Sequence, residues 1–81
     1  MLLDYINAAM SRAKIETLED GSWYAEIPGF RGVWADATTR TACRRQLQEV
    51  LEDWIVLNLR LGHNPPRLRG VRPFPRLRKV G

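Results

Sequence analysis

The apolar and polar positions along the chain change period twice. Over residues 2–13, LLDYINAAMSRA, apolar side chains at Leu2, Ile6, Ala9 and Ala13, with Leu3 and Met10 beside them, recur at helical spacing. The pattern then alternates. KIETLE (14–19), with β-branched Ile15 and Thr17, predicts a strand, WYAEI (23–27) a second and VWADAT (33–38) a third. Asp20-Gly21-Ser22 supplies hairpin-turn chemistry between the first two. Pro28 cannot donate to a ladder and so ends the second strand, while Gly29 and Gly32 make PGFRG a tight reversal into the third. From residue 40 the helical period returns. Cys43, Leu47, Val50, Trp54, Leu57 and Leu61 make one stripe, and Leu51, Ile55, Val56 and Leu59 widen it nearly round the second half of the helix. Thr39 is the expected N-cap, Gly62 the C-terminal stop, and Pro65-Pro66 lie beyond.

These elements predict an α+β fold of order α-β-β-β-α, an antiparallel three-stranded meander packed on a long helix. Residues 1–62 form the domain and 63–81 a basic tail, in which LRGVR or RLRKV is the candidate for a fourth, edge strand. Alternation places Trp23, Ala25 and Ile27 on one face of the meander with Val33, Ala35 and Ala37. The opposite face carries Tyr24, Glu26, Trp34 and Asp36, with Lys14 and Glu16 from the first strand. A Tyr/Trp pair among charges suits an interface, since rings supply apolar area and keep a polar handle. The same pair also suits plain packing along a solvated sheet, and the pattern alone leaves both readings open.

Length narrows the means of stabilisation. An 81-residue chain has room for one small domain, which buries little surface. One cysteine, Cys43, allows no intramolecular disulfide, and the single histidine, His63, has no cysteine at metal-ligand spacing. Oligomerisation is the remaining support, and a helix apolar on two sides predicts a homo-oligomer, dimer or tetramer. The start MLLDYINAAM lacks a basic leader region and carries Asp4, and no apolar run approaches a membrane span, so the expected location is the cytoplasm, away from any membrane.

The net charge of +4 conceals an asymmetry. Residues 1–62 hold seven Lys/Arg against nine Asp/Glu, a balance of −2, whereas residues 63–81 hold six cations (Arg67, Arg69, Arg72, Arg76, Arg78, Lys79) and no acid. A basic arm can seek nucleic acid, and it can equally fold back on acidic surface of its own or a neighbouring subunit. Arg40, Arg44 and Arg45 open the long helix, where the macrodipole prefers acids. They form a candidate patch for phosphates or an acidic partner, or a plain solvated surface. Nucleic-acid binding through the tail and these three arginines is therefore the alternative function. Catalysis is not expected. Glu16, Glu26 and Asp36 have no histidine near them and Lys14 among them, which suits a Mg²⁺ site poorly. Cys43 lies on the apolar stripe with no activating base nearby, and no cofactor motif is present.

The succession WYAEIPGFRGVWADATT, then a long helix containing LQEVLEDWIVLNLRLG and a proline pair, resembles the HicB antitoxin family. Tyr24, Pro28, Gly32, Val33, Thr39, Leu47, Leu51 and Gly62 stand at positions matching its tyrosine-bearing strand, Pro-x-x-x-Gly loop, cap and Gly-stopped helix. The match runs over about residues 14–66, and the leading helix resembles the family variant with an added N-terminal helix. The resemblance implies a partial RNase H-like fold and a type II toxin–antitoxin role. Such an antitoxin binds a HicA-type toxin, an mRNA-cleaving ribonuclease with a catalytic histidine, and blocks it sterically. Tyr24, Glu26, Trp34 and Asp36 are the expected contact residues. Many relatives add a helix-turn-helix or ribbon-helix-helix DNA-binding domain. Here the basic tail stands in that place, so DNA is a secondary candidate partner.

Overall fold

The computed structural model describes residues 2–66 and residue 68. Its elements follow the order α1 (Leu2–Ser11), β1 (Lys14–Thr17), β2 (Trp23–Glu26), β3 (Trp34–Ala37) and α2 (Arg40–Arg60). The strands form one antiparallel sheet of order β1-β2-β3, so the expected α-β-β-β-α architecture is present. A fourth strand over LRGVR or RLRKV falls almost wholly outside the described residues.

Turn chemistry sets the sheet register. Leu18 N–H donates to Ser22 O at 2.8 Å and Gly21 N–H to Leu18 O at 3.0 Å, closing a three-residue hairpin loop with Gly21 at φ 84°. The Asp20 carboxylate accepts from the Ser22 amide at 2.9 Å and from its hydroxyl at 2.5 Å, which holds the Asp20 carboxyl below the usual range. The β2–β3 connection is two turns in tandem. Phe30 N–H bonds Ile27 O and Val33 N–H bonds Phe30 O, with Gly29 (φ 86°) and Gly32 (φ 85°) each in the third position. That position of a type II turn needs positive φ, which explains the Pro-Gly and Arg-Gly pairs. Because these turns draw in Ile27 and Val33, β2 ends one residue early and β3 starts one residue late against the sequence expectation.

One face of the sheet carries the helical layer, in which α2 packs across β2 and β3 and α1 packs on α2. Tyr5, Ile6, Ala9 and Met10 of α1 join Ala25, Ile27, Val33 and Ala35 of the sheet side and Cys43, Leu47, Leu51 and Ile55 of α2 in a single core. Thr39 caps α2 as expected, its hydroxyl accepting from Ala42 N–H at 3.1 Å. At the other end Gly62 N–H bonds Leu59 O and His63 N–H bonds Asn58 O, with Gly62 at φ 77°, the paired bonds of a Schellman motif.

The buried row of α2 corrects the expected stripe. Cys43 and Leu47 belong to it, but it continues through Leu51 and Ile55 toward the partly buried Leu59, whereas Val50 and Trp54 are only partly buried and Leu57 and Leu61 are exposed. Steps of four residues follow the shallow i±4 ridge, and that ridge is the one lying along the sheet. In α1, Tyr5 is buried and Leu3 exposed, so the core face centres on Tyr5, Ile6, Ala9 and Met10.

Tyr5 also ties the two chain ends of the domain together. Its hydroxyl donates to Pro66 O, and its ring meets Phe30 edge-on with centroids 6.3 Å apart. Burial pushes its phenol up to about 12 from the ordinary 10.0. Between those values the unfolded chain releases a proton that the folded one keeps. The resulting contribution is complete below about pH 10 and is lost as pH rises toward 12. We therefore expect wild type to lose stability across that alkaline window more steeply than Tyr5→Phe, as read by urea titrations at successive pH values. Parallel curves would remove Tyr5 as the cause.

Candidate binding face of the sheet

The two sheet faces differ because strand side chains alternate and only one face is covered by helices. On the uncovered face the register sets two rows across the strands. Glu16 pairs with Tyr24 and Tyr24 with Asp36, while Lys14 pairs with Glu26 and Glu26 with Trp34. Tyr24 and Trp34 are thus diagonal neighbours, and their rings stack with centroids 6.1 Å apart at an interplanar angle of 28°. Trp34 remains 52% exposed. The expected contact residues Tyr24, Glu26, Trp34 and Asp36 therefore share one surface, an aromatic pair bordered by three carboxylates and one lysine.

The Pro/Gly loop rims this surface. Tyr24, Glu26, Pro28, Arg31 and Trp34 line an open concavity, and Trp34 with Asp36, Gln46 and Val50 lines a second along the β3 edge. The loop is held from beneath. Phe30 is buried against Trp54, ring centroids 5.3 Å apart, and the Trp54 indole N–H donates to Arg31 O at 3.1 Å. Sequence reading placed neither contact. The available signal was an aromatic residue bracketed by two turn glycines, a position from which a ring can turn inward as an anchor.

The other candidates lie elsewhere. Tyr24 intervenes between Glu16 and Asp36 in their row, which sets those carboxylates two strand spacings apart, roughly 10 Å. Among the described residues no three His, Cys, Asp or Glu side chains gather as a metal site. Cys43 is fully buried, its thiol donating to Ala35 O at 3.6 Å. Desolvation, and secondly the Asp36 charge, raise its pKa. Arg40, Arg44 and Arg45 are exposed on the first two turns of α2, in the helical layer behind the sheet. Of the tail cations, Arg67, Arg69, Arg72, Arg76, Arg78 and Lys79 all fall outside the described residues. No described helix is long and apolar enough to cross a membrane.

The sequence pattern of the UPF0150-like family matches residues 4–66. The chain belongs to the UPF0150-like family. That family falls within the HicB/YacN-like toxin–antitoxin group. The matched span of this UPF0150-like chain takes in α1 from Asp4 onward, the meander, α2 and the turn after it, so both the acidic aromatic face and the layer supporting it lie within the family unit. No curated protein matches the chain. Among solved structures it is similar to the crystal structure of TTHA0281 from Thermus thermophilus. The two chains are 40% identical with a TM-score of 0.84, over 91% of this chain and 93% of that one.

Proposed function

We propose that this protein is the antitoxin of a type II toxin–antitoxin system, a non-catalytic cytoplasmic protein that binds a HicA-type mRNA-cleaving toxin and covers its active surface. The observation that carries this reading is the stacked, half-exposed Tyr24–Trp34 pair set among Glu16, Glu26 and Asp36 on the sheet face that no described helix covers. A ribonuclease surface that binds RNA is basic, and an acidic face with an aromatic centre complements it in charge and supplies the apolar anchor on which binding energy concentrates. Membership in a family of the HicB/YacN-like group supports the same partner class. Val56, Leu57 and Leu61, 47%, 55% and 60% exposed, support self-association of the antitoxin through α2.

The test is inhibition of a purified HicA-type toxin's cleavage of mRNA by the full-length protein. We expect stoichiometric inhibition by wild type. For Trp34→Ala combined with Glu26→Lys we expect affinity weaker by at least about thirtyfold, the loss of one aromatic anchor worth roughly 2 kcal/mol. Undiminished inhibition by that variant would remove the face from the interface. The nucleic-acid alternative rests on the basic tail, residues 63–81, together with the three exposed arginines at the α2 N-terminus. It predicts RNA or DNA affinity that falls steeply with salt and is weakened by Arg40→Ala, Arg44→Ala and Arg45→Ala.

A further inference from the structure

We propose that the acidic aromatic face is also the docking site of the chain's own C-terminal segment, residues 72–76, Arg-Pro-Phe-Pro-Arg. Three observations converge on this occupant.

The first is the chemistry of the surface. Tyr24, Trp34 and Pro28 line one open concavity together with Glu26, and Asp36 stands beside Tyr24 in the same row. Aromatic-lined grooves take proline-bracketed segments, because two prolines pre-set an extended backbone whose rings lie flat on aromatic faces. Arginines on either side of the prolines then meet the carboxylates or the ring faces. The second is charge. The face carries three acids and one lysine, with Arg31 at the loop rim, and residues 67–81 carry six cations and no acid. The third is reach. The tail leaves the described body on the core side of the Pro/Gly loop, since Pro66 O accepts the buried Tyr5 hydroxyl and the Tyr5 ring meets the buried Phe30, and it has to round that loop, whose outer side rims the concavity, to reach the face. From Leu68, itself packed against the core, the four to eight residues to positions 72–76 span roughly 12–25 Å at extended geometry.

A consequence follows that rests on the antitoxin reading. A toxin must displace the segment to reach Tyr24 and Trp34. Were the face covered nine-tenths of the time, apparent affinity would fall about tenfold. The docking itself needs no toxin, so its test stands apart from the inhibition assay.

The experiment compares full-length wild type with two tail variants, Arg72→Glu with Arg76→Glu, and Pro73→Ala with Pro75→Ala, after circular dichroism has shown that each retains the fold. The readouts are the Trp34 indole N–H and Tyr24 ring resonances and acrylamide quenching of Trp34. The Trp54 indole, bonded to Arg31 O, serves as the internal control. We expect both variants to shift the Trp34 and Tyr24 signals and to raise quenching severalfold. Wild type in about 0.5 M salt should move the same way, since screening shortens electrostatic range to a few ångströms. The wild-type signals should not depend on protein concentration. Trp34 and Tyr24 signals indifferent to both variants would overturn the proposal. Protection of Trp34 that disappears on dilution would also overturn it, because the occupant would then be a neighbouring copy's tail.

Discussion

Leu51→Ala is expected to lower the unfolding free energy by about 2–5 kcal/mol, the loss of buried methyl groups plus the cavity left behind. Leu51 is fully buried at the middle of the row Cys43, Leu47, Leu51, Ile55, and it contributes to the one core shared by α1, the sheet and α2. Among the described residues no second core is available to absorb the loss. At 0.05–0.15 kcal/mol per residue an 81-residue chain holds roughly 4–12 kcal/mol in total, so this one substitution removes a large part of it. Urea unfolding followed by circular dichroism would measure the change as a shift in midpoint at unchanged slope. A loss below about 1 kcal/mol would mean that α2 can rotate to bury its other apolar residues, Val56 and Leu57, in place of this row. Leu57→Ala is the matched control. Leu57 is 55% exposed, and its removal should leave monomer stability nearly unchanged.

Phe30→Ala is expected to cost about 3–5 kcal/mol, and to disturb the candidate binding face more than a core substitution elsewhere does. The Phe30 ring lies between Tyr5 and Trp54, at 6.3 and 5.3 Å between centroids, and it is the inward anchor of the loop that carries Pro28 and Arg31 on its outer side. Removing it leaves a cavity and frees the rim. A thermal melt reads the first effect, and toxin inhibition below the melting range reads the second. Trp54→Phe separates the two causes. It keeps an aromatic body against Phe30 but removes the indole N–H that Arg31 O accepts, so the expected stability loss is only about 1 kcal/mol. A Phe30→Ala protein that melts lower yet inhibits as well as wild type would show that loop position does not matter to binding.

Much of this architecture was legible along the chain, because local chemistry decides it. Gly21, Gly29, Gly32 and Gly62 all take positive φ where the turn or helix stop requires it. Thr39 caps α2, and the alternation around Tyr24 and Trp34 sorted the two sheet faces correctly. The errors fall where two answers satisfy the same local rule. From Leu47 an apolar helix can continue to Val50 or to Leu51, and both are present. The Leu51 route is the buried one because the i±4 ridge follows the sheet. Tyr5, absent from the apolar row read along the first helix, is buried because Pro66 O accepts its hydroxyl.

The sequence by itself determined the order of elements, the sites of the turns, and the separation of an acidic body from a basic tail, since each depends on residues near one another in the chain. Tertiary structure alone decided which row of α2 is buried, that Phe30 turns inward to fix the loop, and that Tyr24 and Trp34 stack diagonally with carboxylates at their borders. Those outcomes depend on strand register and on the angle at which the helix crosses the sheet. A one-residue slip in register would exchange the two faces, and pairing between strands separated along the chain is settled only when hairpin, loop and helix close on one core.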